Sequence, residues 1–191
     1  MPIKNPKPRA KLKGPALRKA LAKIKVLILD IDGVMTDGRI FYTEPVGWGA
    51  MYSVIDGFGI RCLMKAGVQV CVISGGSFTS HKERAKTLKI EHAYFGDEDK
   101  IHAYQKILKD LNVTDADCAY MGDELFDIPV LERVAFAATP PHAPAAVKKA
   151  VHYVSKRAGG FGAVRELTDQ ILEARAHAEF TAGPKAGRRK K

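Results

Sequence analysis

The sequence VLILDIDGVMTDG, residues 26–38, joins an apolar run directly to carboxylates and a glycine. Its first part, residues 26–31, is rich in leucine and β-branched residues, which is typical of a strand buried on both faces. Asp30 and Asp32 stand at the end of this run, and Gly33 allows a tight turn after them. Ligands of open α/β sheets bind beyond the carboxyl ends of the strands. The stretch therefore predicts both a central strand and a functional site.

Outward from this stretch, short apolar runs alternate with helical patterns. The apolar runs are residues 68–73, 93–95, 118–121 and 134–138. The helical patterns are residues 59–65, 78–88, 101–111 and 126–131, with a lead-in helix at 15–25 and a final helix at 163–176. Such alternation implies right-handed crossovers between parallel strands. The predicted fold class is α/β, a three-layer sandwich with a central parallel sheet.

Two segments depart from this alternation. Residues 39–43 and 50–54 have the character of short strands on either side of the turn-forming sequence PVGWG. They predict a projecting β-hairpin. The glycine-rich sequence AGGFG at residues 158–162 predicts a flexible lead-in to the final helix or tight packing there.

The charge of the chain is unevenly distributed. The 191 residues carry a formal net charge of +10, but residues 1–25 hold nine basic residues with no acid and residues 183–191 hold five. The rest is mildly acidic, with 17 basic against 21 acidic residues. We therefore expect basic tails at 1–17 and 177–191 around one domain at 18–176. Solvated tails are the simpler interpretation, and contact with nucleic acid is the alternative.

Cysteine content and hydropathy indicate the compartment. Cys62, Cys71 and Cys118 are widely spaced within apolar runs, as expected for free thiols rather than a disulfide framework. No apolar run approaches the roughly 20 residues that span a bilayer, and the basic N-terminus is not followed by a signal-peptide pattern. The sequence predicts a cytoplasmic protein without membrane contact.

The polar residues that follow four of the predicted strands suit phosphoryl transfer. Asp30 and Asp123 are the expected first ligands of a Mg²⁺ ion, because hard cations prefer carboxylate oxygens. Asp32 can reach a leaving-group oxygen as general acid and later act as base for water. Each of these signals is weak alone, since a single Asp after a strand is often a helix cap. Their occurrence in order, each after a predicted strand, favours one joint site.

Other residues of this set are expected around the phosphate. Ser74 with the backbone N–H of Gly75 can donate hydrogen bonds to phosphate oxygens, and Lys100 can supply a positive charge to them. Glu124 and Asp127 follow Asp123 closely and are expected to lie just outside the metal ligands.

These residues together resemble the four motifs of the haloacid dehalogenase superfamily: DIDGVMTDG at 30–38, VISGG at 72–76, Lys100, and GDELFD at 122–127. Residues 18–176 are similar to the small sugar-acid phosphatases that include 3-deoxy-D-manno-octulosonate 8-phosphate phosphatase. The resemblance implies that Asp30 is the nucleophile that forms a phospho-aspartate. It also implies that Asp32 contacts Mg²⁺ through its backbone carbonyl and that Asp123 is the third metal contact.

The same resemblance implies an architecture and an assembly. Capless members of this superfamily have a Rossmann-like domain without an inserted cap. The spacing between Asp32 and Ser74, and between Ser74 and Lys100, leaves no room for one. The family forms homotetramers in which the hairpin and C-terminal tail of one subunit cover a neighbour's site.

Three positions depart from the family pattern. Ile55, Gly76 and Phe161 stand where relatives commonly have arginine, the usual partner of a sugar-acid carboxylate. Either other basic residues, such as Arg61, Lys82 or Arg84, compensate, or the substrate is a different small phosphorylated sugar or related metabolite. A haloalkanoate dehalogenase and a weakly active binding or scaffold subunit are the further alternatives.

Overall fold

A parallel sheet of six strands forms the centre of the computed structural model, which describes residues 6–45 and 47–182. The strand order in this sheet is β5-β4-β1-β6-β7-β8. These strands are β1 (Val26–Leu29), β4 (Gln69–Ser74), β5 (Ala93–Phe95), β6 (Cys118–Met121), β7 (Phe136–Thr139) and β8 (Tyr153–Val154). The register pairs Leu27 with Val70 on one side and with Ala119 on the other. Strand β1 is therefore an inner strand, and its carboxyl end lies between those of β4 and β6.

Helices cover both faces of the sheet. They are α1 (Gly14–Leu21), α2 (Val54–Lys65), α3 (Thr79–Leu88), α4 (Lys100–Asp110), α5 (Ile128–Leu131), α6 (Ala145–Ala150) and α7 (Ala163–Ala182). Leu27 and Leu29 face the core formed with α1, α2, α3 and α7, whereas Val26 and Ile28 face the core formed with α4, α5 and α6. Every residue of β1 is buried, which explains its continuous apolar sequence. The predicted α/β sandwich is confirmed.

A two-stranded hairpin projects from this body. Strand β2 (Ile40–Thr43) pairs antiparallel with β3 (Gly47–Ala50), and Phe41 lies opposite Gly49. The prediction of a second strand at 50–54 is wrong by several residues. The reason is a contact between the two strands. A Cβ atom at residue 49 would lie 2.7 Å from the Phe41 ring, so the glycine belongs in the strand beneath that ring. Of the predicted turn, Val46 lies outside the described residues.

Helix α2 begins where the second strand was expected to end. The Ser53 hydroxyl accepts a hydrogen bond from Asp56 N at 3.2 Å and caps the helix. The helix therefore starts five residues before the predicted boundary at residue 59. Between β1 and β4 the chain forms only the hairpin and α2, and between β4 and β5 only α3. Among the described residues no cap domain is inserted, as predicted.

The N-terminal segment, which was expected to be a solvated tail, is largely exposed but is held against the body by hydrogen bonds. Residues 1–5 lie outside the described range, but Arg9 N donates to Lys149 O and Leu12 N donates to His152 O, each at 3.0 Å. The Arg9 guanidinium also donates to Val134 O at 2.9 Å, and Lys11 donates to Val151 O. These basic side chains bind backbone carbonyls of the body, because such carbonyls attract cations where a helix or strand ends.

The C-terminal helix also passes its predicted end. Helix α7 continues six residues beyond residue 176, to Ala182, and the basic residues of 183–191 lie outside the described range. The short elements α6 and β8 were absent from the predicted pattern because they span only six and two residues. None of the described helices has the length and apolar character needed to cross a membrane.

Candidate active site

The loop after β1 is held by its own main chain. Val34 N, Met35 N and Thr36 N all donate to Ile31 O, at 2.9 to 3.1 Å. Gly33 has a φ of +76°, and a Cβ atom there would overlap the Asp123 carboxylate. Only glycine meets both conditions at this position. The loop therefore brings the end of β1 directly against the residue that follows β6.

Gly159 and Gly160 hold this loop from the other side. Gly160 N donates to Val34 O at 3.1 Å, and a Cβ atom at Gly159 would overlap Gly33 O. Asp56 on α2 accepts hydrogen bonds from Arg165 N at 2.7 Å and Gly162 N at 3.3 Å, so it caps the first turn of α7. Tight packing, one of the two predicted roles of residues 158–162, is the one observed.

Asp30 and Lys100 form a buried ion pair at the centre of the site. The Nζ atom of Lys100 lies 2.9 Å from Asp30 Oδ1 and 2.6 Å from Asp127 Oδ1. Burial and then the neighbouring Asp127 raise the pKa of Asp30 well above its ordinary value, while Lys100 opposes that shift. Burial alone would lower the pKa of Lys100, but the charges of Asp127 and Asp30 outweigh it and the pKa is raised. Lys100 is therefore a fixed cation.

Asp127 organises the loop that carries Asp123. Its Oδ2 accepts hydrogen bonds from Asp123 N and Glu124 N, both at 2.9 Å. Its Oδ1 accepts from Lys100 and from the buried Tyr120 hydroxyl, both at 2.6 Å. Four donors fill the acceptor positions of this carboxylate. Glu124 turns to the backbone and accepts from Leu125 N at 2.7 Å.

The acidic residues of the site fit a divalent cation. Carboxylate oxygens of Asp30, Asp123 and Asp127 all lie within 4.8 Å of one another. Asp123 Oδ1 is buried and has no hydrogen-bond partner among the described residues, whereas Asp127 is saturated by its donors. Burial and then Asp127 raise the pKa of Asp123 to about 6. Three carboxylates face one lysine here, so a hard cation would balance the charge.

Ser74 lies at the carboxyl end of β4, next to β1 in the sheet. The side chain is buried, and its Oγ accepts a hydrogen bond from Gly76 N at 3.1 Å. A Cβ atom at Gly75 would come within 3.3 Å of Glu98, in the loop before Lys100. The structure therefore brings Ser74, Gly75, Lys100, Asp30 and Asp123 to one edge of the sheet, where parallel strands deliver them.

Two histidines contact the acidic residues of the site, and sequence reasoning missed both. His81 Nε2 lies 3.3 Å from Asp32 Oδ1, and His142 Nε2 lies 3.2 Å from Asp123 Oδ2. His81 lies five residues after the VISGG sequence, in the first turn of α3, and this closeness was the available signal. His142 stands in the loop after β7, outside the four motifs. Tyr120, which binds Asp127 from within β6, also escaped prediction because it reads as a core strand residue.

A buried Asp–Lys pair at the end of the central strand, with two further carboxylates after β6, defines the class of haloacid dehalogenase-like hydrolases. The family model of that description matches residues 94–166. The chain is 39% identical to the 3-deoxy-D-manno-octulosonate 8-phosphate phosphatase of Yersinia pestis over 162 residues, which cover 85% of this chain and 87% of that protein. Identity to the Escherichia coli (strain K12) phosphatase of the same name is 35%, covering 89% and 92%.

Solved structures agree with this relationship. The crystal structure of the Yersinia pestis phosphatase superimposes with a TM-score of 0.81 at 38% identity, covering 84% of this chain and 86% of that one. The Moraxella catarrhalis phosphatase, in complex with a magnesium ion, a phosphate ion and KDO, also gives 0.81, at 31% identity, covering 87% and 96%. The chain belongs to the 3-deoxy-D-manno-octulosonate 8-phosphate phosphatase family and is a phosphatase, as its sequence motifs predicted.

Proposed function

We propose that this phosphatase hydrolyses a sugar-acid phosphate such as 3-deoxy-D-manno-octulosonate 8-phosphate, with Mg²⁺ as cofactor and Asp30 as nucleophile. The observation that carries the proposal is the buried group of Asp30, Asp123 and Asp127 around the single cation Lys100. The names of the relatives support the substrate, and the magnesium ion in one of their structures supports the cofactor.

Asp30 is oriented for attack on phosphorus. Its Oδ1 accepts hydrogen bonds from Ile31 N at 2.7 Å and from Lys100, whereas its Oδ2 accepts none from the described residues. In the first step a carboxylate oxygen of Asp30 forms a bond to phosphorus as the ester oxygen leaves and takes a proton from Asp32. In the second step water attacks the phosphorus of the phospho-aspartate and gives its proton to Asp32. Phosphate leaves, and Asp30 is regenerated.

The residues around the nucleophile have separate roles in this proposal. Asp30 and Asp123, with the backbone carbonyl of Asp32, would hold Mg²⁺. When bound, the ion supplies positive charge that offsets the repulsion between carboxylate and phosphate. Ser74 and the backbone N–H of Gly75 donate to phosphate oxygens, and Lys100 adds a fixed positive charge beside them.

A different small phosphorylated metabolite is the second candidate substrate. Ile55 and Phe161, two of the positions where relatives commonly have arginine, are 60% and 63% exposed and apolar. Of the basic residues expected to compensate, Arg84 donates to Ser53 O at 2.7 Å and lies over the Tyr52 ring. Arg61 and Lys82 are exposed. A substrate with fewer charges than a sugar acid would suit such a surface.

The proposed assembly is a homotetramer. The hairpin exposes large apolar side chains that a monomer would leave in water, namely Ile40, Phe41, Tyr42 and Trp48. Burial of this surface against a neighbouring subunit would remove it from solvent. Light scattering on the full chain tests the proposal, and a monomeric mass at micromolar concentration would contradict it. The three thiols are free and two are buried, which supports the proposed cytoplasmic location.

Phosphate release from a panel of esters tests the proposed function. The panel holds 3-deoxy-D-manno-octulosonate 8-phosphate, simple sugar phosphates and nucleotides, each with Mg²⁺ and with EDTA. We expect Mg²⁺-dependent release that Asp30→Asn abolishes. Asp110→Asn, an exposed carboxylate at the end of α4, is the matched control and should retain activity. Absence of release from every ester, or full activity of Asp30→Asn, would refute the mechanism.

A further inference from the structure

Polar atoms without partners lie at Asp32 and at the neighbouring His81. Three buried side-chain atoms, Asp32 Oδ1 and both ring nitrogens of His81, have no hydrogen-bond partner among the described residues. Buried polar groups in folded proteins are nearly always paired. A concentration of unpaired atoms next to the proposed acid/base residue therefore points to a functional arrangement.

His81 is the fixed member of this group. Its side chain is 0% exposed, in the first turn of α3, and its ring lies 4.9 Å from that of Phe78 and 6.3 Å from that of Tyr52. Packing on these rings leaves the imidazole little freedom to turn. Asp32 is 37% exposed and can rotate.

The facing atoms of His81 and Asp32 are complementary. A neutral imidazole has one N–H donor, and a carboxylate accepts only. His81 Nε2 lies 3.3 Å from Asp32 Oδ1, close enough for a hydrogen bond but poorly aligned. A small rotation of Asp32 would align the two and give each a partner. Hydrogen bonds of catalytic groups are often long without substrate and tighten in the complex.

Gly76 encloses Asp32 from the other side. A Cβ atom there would lie 2.9 Å from Asp32 Oδ2 and 2.8 Å from His81 Cε1. No side chain fits between these groups unless they move. The main chain at Gly76, the Asp32 carboxyl group and the His81 ring therefore pack closely against one another.

We propose that His81 is a positioning residue, whose Nε2–H donates to Asp32 Oδ1 and holds the Asp32 carboxyl group where it meets the leaving-group oxygen. This inference rests on the proposed function, since it assigns to His81 a part in the acid/base step of the same site. Among the described residues His81 contacts Asp32 and neither Asp30 nor Asp123, and the contact is to the Asp32 carboxylate rather than to the backbone carbonyl that would hold Mg²⁺.

Dependence on the leaving group distinguishes this role from a structural one. Sugar alkoxides need a proton as they leave, whereas p-nitrophenolate leaves without one. We compare kcat/KM for p-nitrophenyl phosphate and for the best sugar phosphate of the panel, with Mg²⁺. His81→Leu should lose about 10- to 100-fold on the sugar phosphate and less than about 3-fold on the aryl ester. His81→Gln, whose amide N–H can donate to the same oxygen, should recover most of the loss.

Two controls accompany these variants. Leu88→Ala removes buried apolar volume from the same helix and should change both esters by the same factor. In an Asp32→Asn background, His81→Leu should cause no further loss on the sugar phosphate, because its effect passes through Asp32. Should His81→Leu not fold, His81→Phe, which keeps an aromatic ring at this position but has no N–H donor, takes its place in the same comparison.

Equal losses of kcat/KM on both esters would overturn the inference. So would a loss on the sugar phosphate in the Asp32→Asn background as large as the loss in the wild-type background. The outcome is separable from that of the proposed function. A wild-type protein that releases no phosphate from either ester refutes the proposed function. An active wild-type protein whose donor-free His81 variant keeps an unchanged ratio refutes only the role of His81.

Discussion

Lys100 Nζ lies 2.6 Å from Asp127 Oδ1, and neither side chain is exposed to solvent. The same ammonium group contacts Asp30, so one cation stabilises two carboxylates beside Asp123. Removing it would leave three neighbouring buried or half-buried acids without an internal counter-charge. This arrangement makes Lys100 important for folding, in addition to its proposed role in binding a phosphate.

Lys100→Met should therefore destabilise the protein as well as inactivate it. Loss of one partner from a buried ion pair costs about 3–5 kcal/mol, because the remaining charges stay buried. We expect unfolding in urea with EDTA to show that loss at pH 7, and phosphate release to fall below about 1%. Lys109→Met, an exposed change on the same helix, should leave both measurements unchanged. Normal stability of Lys100→Met would contradict the interpretation.

Asp127→Asn should weaken Mg²⁺ binding. The Asp127 carboxylate accepts the two N–H groups that orient Asp123, and an amide cannot accept at all four positions. Loss of such outer support typically lowers metal affinity about 10- to 100-fold. Calorimetric titration with Mg²⁺ measures the change. Glu124→Gln keeps an oxygen for Leu125 N and is the control, so an equal weakening in both variants would count against this role.

Gly33→Ala and Gly38→Ala form a matched pair. Both glycines have positive φ, +76° and +78°, so both alanines carry backbone strain of about 1–2 kcal/mol. Only at Gly33 would the new Cβ overlap Asp123, since at Gly38 the nearest atom is 3.7 Å away. We expect phosphate release to fall about 100-fold for Gly33→Ala alone, because a small displacement of a site residue has that effect. Similar activities of the two variants would show that Asp123 is not displaced.

His152 should make the folded state sensitive to acid. Ala137 N donates to His152 Nδ1 at 3.0 Å, so that nitrogen must be unprotonated. Burial, and then the charges of Arg9 and Lys11, lower the pKa of His152 to about 4. The unfolded chain, with an ordinary histidine pKa of about 6.5, therefore binds more protons between pH 6.5 and 4, and stability falls as the pH is lowered through that window.

His152→Asn isolates this contribution, because its Oδ1 can accept from Ala137 N and does not titrate. As the pH is lowered from 7.5 to 4.5, the free energy of unfolding of the variant should rise by about 1 kcal/mol relative to that of wild type, after allowance for solvent screening of the half-buried ring. Urea unfolding at the two pH values provides the measurement. His177→Asn, exposed on α7, should show no relative gain. If the difference in free energy of unfolding between His152→Asn and wild type is the same at both pH values, the effect is excluded.

Most of the central sheet could be predicted because β1, β4, β6 and β7 are almost entirely buried and have largely apolar sequences. Strands 93–95 and 118–121 match their predicted bounds. The second hairpin strand was misplaced because Gly49 has meaning only under the Phe41 ring, a contact between strands. The hydrogen bonds of Arg9 and Lys11 depend on carbonyls far away in the sequence, which composition does not reveal.

The part of the candidate site that lies near strand ends could also be predicted from the sequence. Asp30, Ser74 and Asp123 lie at or within two residues of the end of a strand, and Lys100 begins the helix after β5, so the order of strands brings them together. His81 and His142 approach the acids from a helix and a loop whose distances are set by tertiary packing. Tyr120 has the sequence context of an ordinary buried strand residue. Only the hydrogen bond from its hydroxyl to Asp127 distinguishes it.

The contact of Gly159 with Gly33 has a consequence for the order in which the protein is made. Asp30, the proposed nucleophile, and the loop after it leave the ribosome early, but the main chain at residues 159 and 160 that holds this loop emerges much later. A nascent chain that ends before residue 159 carries Asp30 without its final support. Hydrolytic competence should therefore arise late in synthesis, once the C-terminal helix has folded back onto the first strand's loop.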